Sequence, residues 1–184
     1  MSAATPQPAA PPRGGPAVSG DSFRAIMSAL PAGVTVITTL GADRRPKGMT
    51  ATAVCSASLE PPMLLTCLDS RSRTLAMIRQ RGAFAVNILG AASAPLARLF
   101  ASPGGDGFSR ARWRPSAALG MPVLTDGVSA FAECRVDQII PAGDHHLVLA
   151  VVVDGSAGDT GALSYARRAY HPIPSDSDNE VERS

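Results

Sequence analysis

The stretch PAGVTVITTLGADRRPKGMTATAVCSASLEPP, residues 31–62, decides the fold. Residues 34–40 are β-branched and apolar, a composition that fits a pleated, half-buried surface. Residues 41–46 read as a polar turn, and residues 48–57 as a second strand that runs toward the stop at Pro61-Pro62. This second strand is rich in Thr, Ser and Ala, where strands normally carry bulky side chains. Small side chains leave room beside the backbone and offer N–H and O–H donors. Such a ribbon suits one wall of a site for something flat and anionic, a flavin or a nucleotide.

Outward from that stretch, residues 63–68 and 84–89 read as strands, as do residues 128–137 and 145–154, with a final extended piece over 163–171. Helical signals are fewer. Asp21 or Ser22 can cap a helix over 23–30 that stops before Pro31. Residues 72–81 carry Leu75 and Ile78 on one face and stop at Gly82, and residues 94–101 form a short helix before a Gly-rich loop. Strands dominate without βα alternation, which predicts a single mainly antiparallel β-barrel with short peripheral helices rather than a doubly wound sheet. Residues 1–20, rich in Pro and Ala, read as a disordered leader, and residues 174–184 as a disordered acidic tail. The domain between them spans residues 21–173.

The composition excludes several function classes. A formal charge of +2 and 4% aromatic content argue against a nucleic-acid partner. Cys55, Cys67 and Cys134 are odd in number and lack close spacing, so neither a disulfide framework nor a metal site is suggested. No apolar run reaches membrane-spanning length and no signal-peptide pattern is present, so the expectation is a soluble, cytoplasmic protein.

Individual residues leave alternatives open. Arg73, between Ser72 and Thr74 at a helix start, is either an anion site, where unpaired N–H groups converge, or a solvated surface residue. Asn87 ends an apolar strand, as a cofactor contact or a strand-end turn residue. His145 follows Gly143-Asp144 at a loop-to-strand junction, and the apolar run after His146 does not say which histidine points inward. Glu133 suits a partner inside the sheet better than catalysis.

Several fragments, taken in order, resemble the flavin reductase family, the small reductase components of two-component flavin monooxygenases. They are Gly33-Val34-Thr35, Gly48-Met49-Thr50-Ala51, the SASLEPP of residues 56–62, Phe84-Ala85-Val86-Asn87, and Phe100-Ala101 with Asp106 and Phe108. Glu133-Cys134, Ala142-Gly143-Asp144-His145, and Arg168 with Tyr170 complete the set. The resemblance covers residues 23–171. It implies an FMN-binding split β-barrel, usually a homodimer, that binds FMN or FAD and takes NADH or NADPH as reductant. Such enzymes release reduced flavin to a separate flavin-dependent monooxygenase.

By position, the resemblance sets Gly33, Val34 and Thr35, together with Gly48, Met49, Thr50, Ala51, Thr52, Ala53 and Val54, along the isoalloxazine and ribityl chain. Asp69, Ser70, Ser72, Arg73 and Thr74 would meet the flavin phosphate, and Asn87 and Phe108 are counted with the cofactor contacts. His145 would face the nicotinamide as the catalytic candidate. Tyr165, Arg168 and Tyr170 would lie near the pyridine nucleotide or the barrel's end. The chain departs from the family in three places: Thr52-Ala53-Val54 replaces the usual Asn-Ser-Phe or Ser-Ser-Phe, Gly107 replaces a basic residue, and His146 is a second histidine.

Hydride transfer between cofactors asks the protein for stacking geometry more than for acid–base groups. That agrees with a chain of only three histidines and no nucleophile motif. Two other functions fit the same barrel: a non-catalytic flavin-binding protein, and a flavin-dependent oxidase acting on its own organic substrate.

Overall fold

Local sequence sets each element's ends. The computed structural model describes residues 17–102, 107–158 and 160–175. Most of the expected leader and acidic tail, and Asp106, lie outside the described residues. Helix α1 (Gly20–Ser28) is capped by the Ser19 hydroxyl, which accepts the Ser22 N–H at 3.1 Å. The short strand β1 (Ala32–Gly33) leads into β2 (Thr35–Leu40), whose six residues are all buried. Next come β3 (Pro46–Ala51), β4 (Val54–Leu59), β5 (Pro62–Asp69), α2 (Arg73–Arg81), β6 (Ala83–Leu89) and α3 (Ala94–Ala101). A 3-10 turn at Gly107–Ser109 precedes β7 (Trp113–Pro115) and β8 (Pro122–Leu124). The long hairpin β9 (Val128–Ala142) and β10 (His145–Ala157) is followed by β11 (Ala162–Ala166) and β12 (Ala169–Ile173).

Seven strands form one antiparallel sheet in the order β3-β2-β6-β9-β10-β5-β4. Its two edge strands, β3 and β4, are separated in the chain by Thr52 and Ala53 alone. Three peptide steps reach at most about 11 Å, so the sheet curls until its edges meet at that corner. They do not pair with each other, and the expected barrel stays open there. Residues 48–57 are therefore not one strand. Met49 pairs with Ile37 on β2, whereas Cys55 pairs with Leu65 on β5. A chain crossing the corner of a curled sheet must exchange one partner for another, and small side chains let it do so.

Two further expectations change. Residues 163–171 make a hairpin rather than one extended piece, because Arg167 and Arg168 both take left-handed backbone, with φ of 48° and 64°. The β9–β10 hairpin runs past residues 137 and 154 because Gly143, at φ 63°, and Asp144 form a two-residue turn.

The concave side of the sheet is filled by Ile37, Leu68, Leu75, Ile78, Phe84, Val86 and Val148, so α2 lies across the curl. A second core gathers Val34, Val36, Leu89, Ala97, Phe100, Leu124 and Leu163 beneath α3 and the β11–β12 hairpin. Glu133 is fully buried and accepts from the Ser116 hydroxyl and from the N–H groups of Ala118 (3.0 Å) and Leu119 (2.6 Å), which ties down the loop before β8. Its role is structural. No helix among the described residues is long and apolar enough to cross a membrane.

Candidate functional site

Strand β3, the β5–α2 loop and the end of α3 enclose a cleft of about 580 Å³. That is within the range of small-molecule sites. Its walls are Lys47, Gly48 and Met49 from β3, Asp69 and Arg71 through Thr74 from the loop and the first turn of α2, and Phe100 to Ser102. Six residues expected at a flavin come together here: Gly48, Met49, Asp69, Ser72, Arg73 and Thr74.

The phosphate-binding end has a physical basis. Ser72 caps α2: its hydroxyl accepts the Leu75 N–H at 3.4 Å and also contacts the Met49 sulfur at 3.2 Å, which joins the helix start to β3. The free N–H groups of the first turn and the positive end of the helix dipole point into the cleft. Asp69 accepts from the backbone N–H of Arg71 at 2.7 Å and from its guanidinium at 3.1 Å. The guanidinium bond is the main reason the Asp69 carboxyl is held down to about 2. Arg73 and Lys47, by contrast, have no carboxylate partner among the described residues. Two uncommitted cations and a helix N-terminus converge on one open space. An anion belongs there.

The Gly-Asp-His corner stands at the cleft's rim. His145 pairs across from Asp69, and the Asp144 carbonyl accepts the Ser70 N–H at 3.0 Å. His145 Nδ1 lies 2.7 Å from Asp144 Oδ1, a contact that lowers the Asp144 carboxyl. With that carboxylate ionised, Nδ1 carries the proton and Nε2 is left to face a ligand. The strand register separates the two histidines. His146 shares the inward face with Val148 and contacts Ser70 Oγ at 3.1 Å, while His145 shares the outer face with Asp69.

Other expected contacts lie elsewhere. Asn87 is fully buried: its amide donates to the Val36 carbonyl (3.0 Å) and to Thr38 Oγ1 (3.1 Å), and its oxygen accepts the Leu124 N–H (2.8 Å). It locks β8 onto β2 and β6 and has no surface to offer a ligand. Val34 sits fully inside the second core. The hydroxyls of Thr35 and Thr50 donate to the carbonyls of Ala51 (2.8 Å) and Ala97 (2.6 Å), so they act as struts rather than ligand donors. Ala51 and Val54 pack toward the first core, Thr52 and Ala53 are exposed at the corner, and Gly33 is exposed on β1. Tyr165 and Tyr170 pack against each other with ring centres 5.0 Å apart and planes tilted by 57°, the Arg98 guanidinium lies 5.2 Å from the Tyr170 ring, and Arg168 occupies the hairpin turn. Phe108 packs edge-on to Phe100 at 5.2 Å.

Gly48 serves packing. A Cβ there would come within 3.1 Å of the Ile37 carbonyl oxygen and 3.2 Å of the Phe100 ring. At Gly107 a Cβ would meet the same ring at 2.6 Å, which accounts for the missing basic side chain at that departure. Lys47 and Phe100 line the cleft without having been expected there. Lys47 had a signal: it is the only lysine among 17 Lys and Arg residues, and it lies two positions before Met49, hence on the same face of β3.

The family model described as flavin reductase like domain matches residues 27–174. The chain belongs to the flavin reductase family. A flavin reductase (NADH) of Kitasatospora aureofaciens is 45% identical over 163 residues, covering 88% of this chain and 85% of its own length. A flavin reductase (NADPH) of Lentzea aerocolonigenes is 41% identical over 158 residues, covering 86% and 92%. Among solved structures, the flavin reductase component of a bacterial two-component tryptophan halogenase superposes with a TM-score of 0.78 at 30% identity, covering 85% of this chain and 99% of its own.

Proposed function

We propose that this chain is an NAD(P)H:flavin oxidoreductase that supplies reduced flavin to a separate monooxygenase. The observation that carries the reading is the cleft in which Arg73, Lys47 and the N-terminus of α2 converge beside Met49 and Phe100. A bound flavin would supply the hydride acceptor, and a nicotinamide the donor. Everything else asked of the protein is placement. Arg73 and Thr74 hold the phosphate, Ser72 fixes the helix start beside Met49, and β3 with Met49 supports the ring system. Asp144 holds the His145 imidazole so that Nε2 can accept a hydrogen bond from the nicotinamide amide.

The functional unit we propose is a homodimer. On the outer face of the β9-β10-β5-β4 half of the sheet, Leu65, Cys67, Leu147 and Leu149 are half-buried and belong to neither large core. Ile140, paired with Leu147, adds 37% exposure beside them. Helix α1 buries none of its residues and exposes Phe23, Ile26, Met27 and Leu30. Apolar surface on that scale marks an interface. A cytoplasmic location agrees with three unpaired cysteines, one of them exposed.

The test is anaerobic. Purified protein mixed with FMN or FAD and excess NADH or NADPH bleaches the flavin absorbance catalytically in at least one of the four combinations. Bleaching in none of them overturns the reading. Tight flavin binding without turnover would favour a non-catalytic flavin carrier.

A further inference from the structure

Beside the cleft, and sharing Lys47 with it, lies a second hollow of about 410 Å³ walled by Arg45, Pro46, Lys47, Phe108, Ser109 and Trp113. The two spaces are separated by a row of rings. Phe100 lines the cleft, Phe108 stands edge-on to it at 5.2 Å, and Trp113 stands edge-on to Phe108 at 5.9 Å. Burial falls along this row. Phe100 is buried, Phe108 is half-buried, and Trp113 remains 37% exposed. The core needs the first ring, whereas the last, the chain's only tryptophan, presents its surface to the hollow.

The opposite rim is cationic. Lys47 has no ion pair among the described residues, and Arg45 is held only by Asp43, at 3.7 Å through Nε, with its side chain 84% exposed. A flat aromatic wall facing two cations is complementary to a nucleobase joined to phosphate: π-faces stack tolerantly on any base, and the ammonium meets the anion. Continuity decides which nucleotide. An anion seated at Arg73 in the cleft and a base at Trp113 would be bridged past Lys47, the one residue common to both walls.

We propose that this hollow binds an adenylate, the AMP half of FAD or of the nicotinamide donor, with the base against Trp113 and the phosphates toward Lys47. The proposal rests on the flavin reading above and adds to it a determinant of cofactor choice. FMN, which ends at its phosphate, gains nothing from the hollow.

The experiment compares the wild-type protein with Trp113→Ala and Trp113→Phe. Dissociation constants for FMN and FAD are read from flavin fluorescence. The KM for NADH is read with FMN as acceptor, and AMP binding from the emission of Trp113 in the wild type. If the hollow holds the FAD adenylate, Trp113→Ala weakens FAD about tenfold, the loss expected for one stacked base. FMN affinity then stays unchanged, and Trp113→Phe restores most of the loss. If it holds the donor's adenylate, the same pattern appears in the KM for NADH while kcat and both flavin affinities stay put. Unchanged FAD affinity and NADH KM together would overturn the proposal. So would an equal loss for FMN and FAD, which marks a structural role for Trp113, or an AMP titration that leaves its emission unmoved. A wild-type protein that binds neither flavin removes the flavin reading itself.

Discussion

Thr66 points inward from β5, between Leu64 and Leu68, and its buried hydroxyl has no hydrogen-bond partner. A desolvated, unpaired hydroxyl costs free energy that an apolar side chain of the same shape avoids. Thr66→Val should therefore stabilise the fold by about 1 kcal/mol and raise Tm by about 2–4 °C for a domain of this size; a lower Tm by calorimetry would contradict that account. The three thiols should separate as sharply. Burial pushes the Cys134 thiol up to about 12, whereas Cys55 is exposed. At pH 8 a thiol-specific reagent should modify Cys55 first, Cys67 more slowly, and Cys134 only on unfolding. Because the Cys134 shift is upward from 9.0, its contribution to stability is whole below pH 9. That contribution declines as pH rises from 9 toward 12, as the unfolded chain ionises first.

At the scale of elements, helix α2 and strand β3 form one device. Ser72 caps the helix and reaches the Met49 sulfur, so the first turn of α2 is held at a fixed distance from the strand that carries Lys47. Arg73 is exposed at that turn and contributes nothing visible to the core. Arg73→Ala should leave the melting temperature within about 1 °C and weaken FMN binding about ten- to hundred-fold, the worth of a hydrogen bond to a charged group. Calorimetry and flavin titration check the two halves separately. Equal affinity for FMN in the variant would move the phosphate elsewhere. The Thr52-Ala53 link shows where reading by element failed. Periodicity sees one stretch rich in small residues from 48 to 57, and nothing local marks the point at which it leaves one edge of the sheet and joins the other.

For the whole molecule, the outer sheet face and α1 raise the question of assembly. The protein should sediment at twice the 18.9 kDa mass of the chain, and Ile140→Asp should shift the equilibrium toward the monomer while the far-ultraviolet dichroism is retained. A wild-type protein that sediments as a monomer at micromolar concentration would dispose of the dimer.

The sequence by itself determined most element types and their ends: the α2 boundaries from Ser72 and Gly82, the α3 span, and the strand composition of β2, β5 and β6. These follow from side-chain chemistry within a few residues along the chain. It also identified Ser72, Arg73 and Thr74 as a potential anion site, because a cap and a cation at a helix start are local facts. Only the tertiary structure decided what each polar group spends its hydrogen bonds on. Asn87, Thr35 and Thr50 look like ligand donors in one dimension, yet their partners are backbone groups 16 to 51 residues away that strand pairing and the packing of α3 on β3 bring within 3.0 Å. Tertiary structure likewise set Lys47 and Arg73 on one cleft and, through the β10–β5 pairing, His145 opposite Asp69. A hydrogen bond needs proximity in space, and the chain's order does not carry that information.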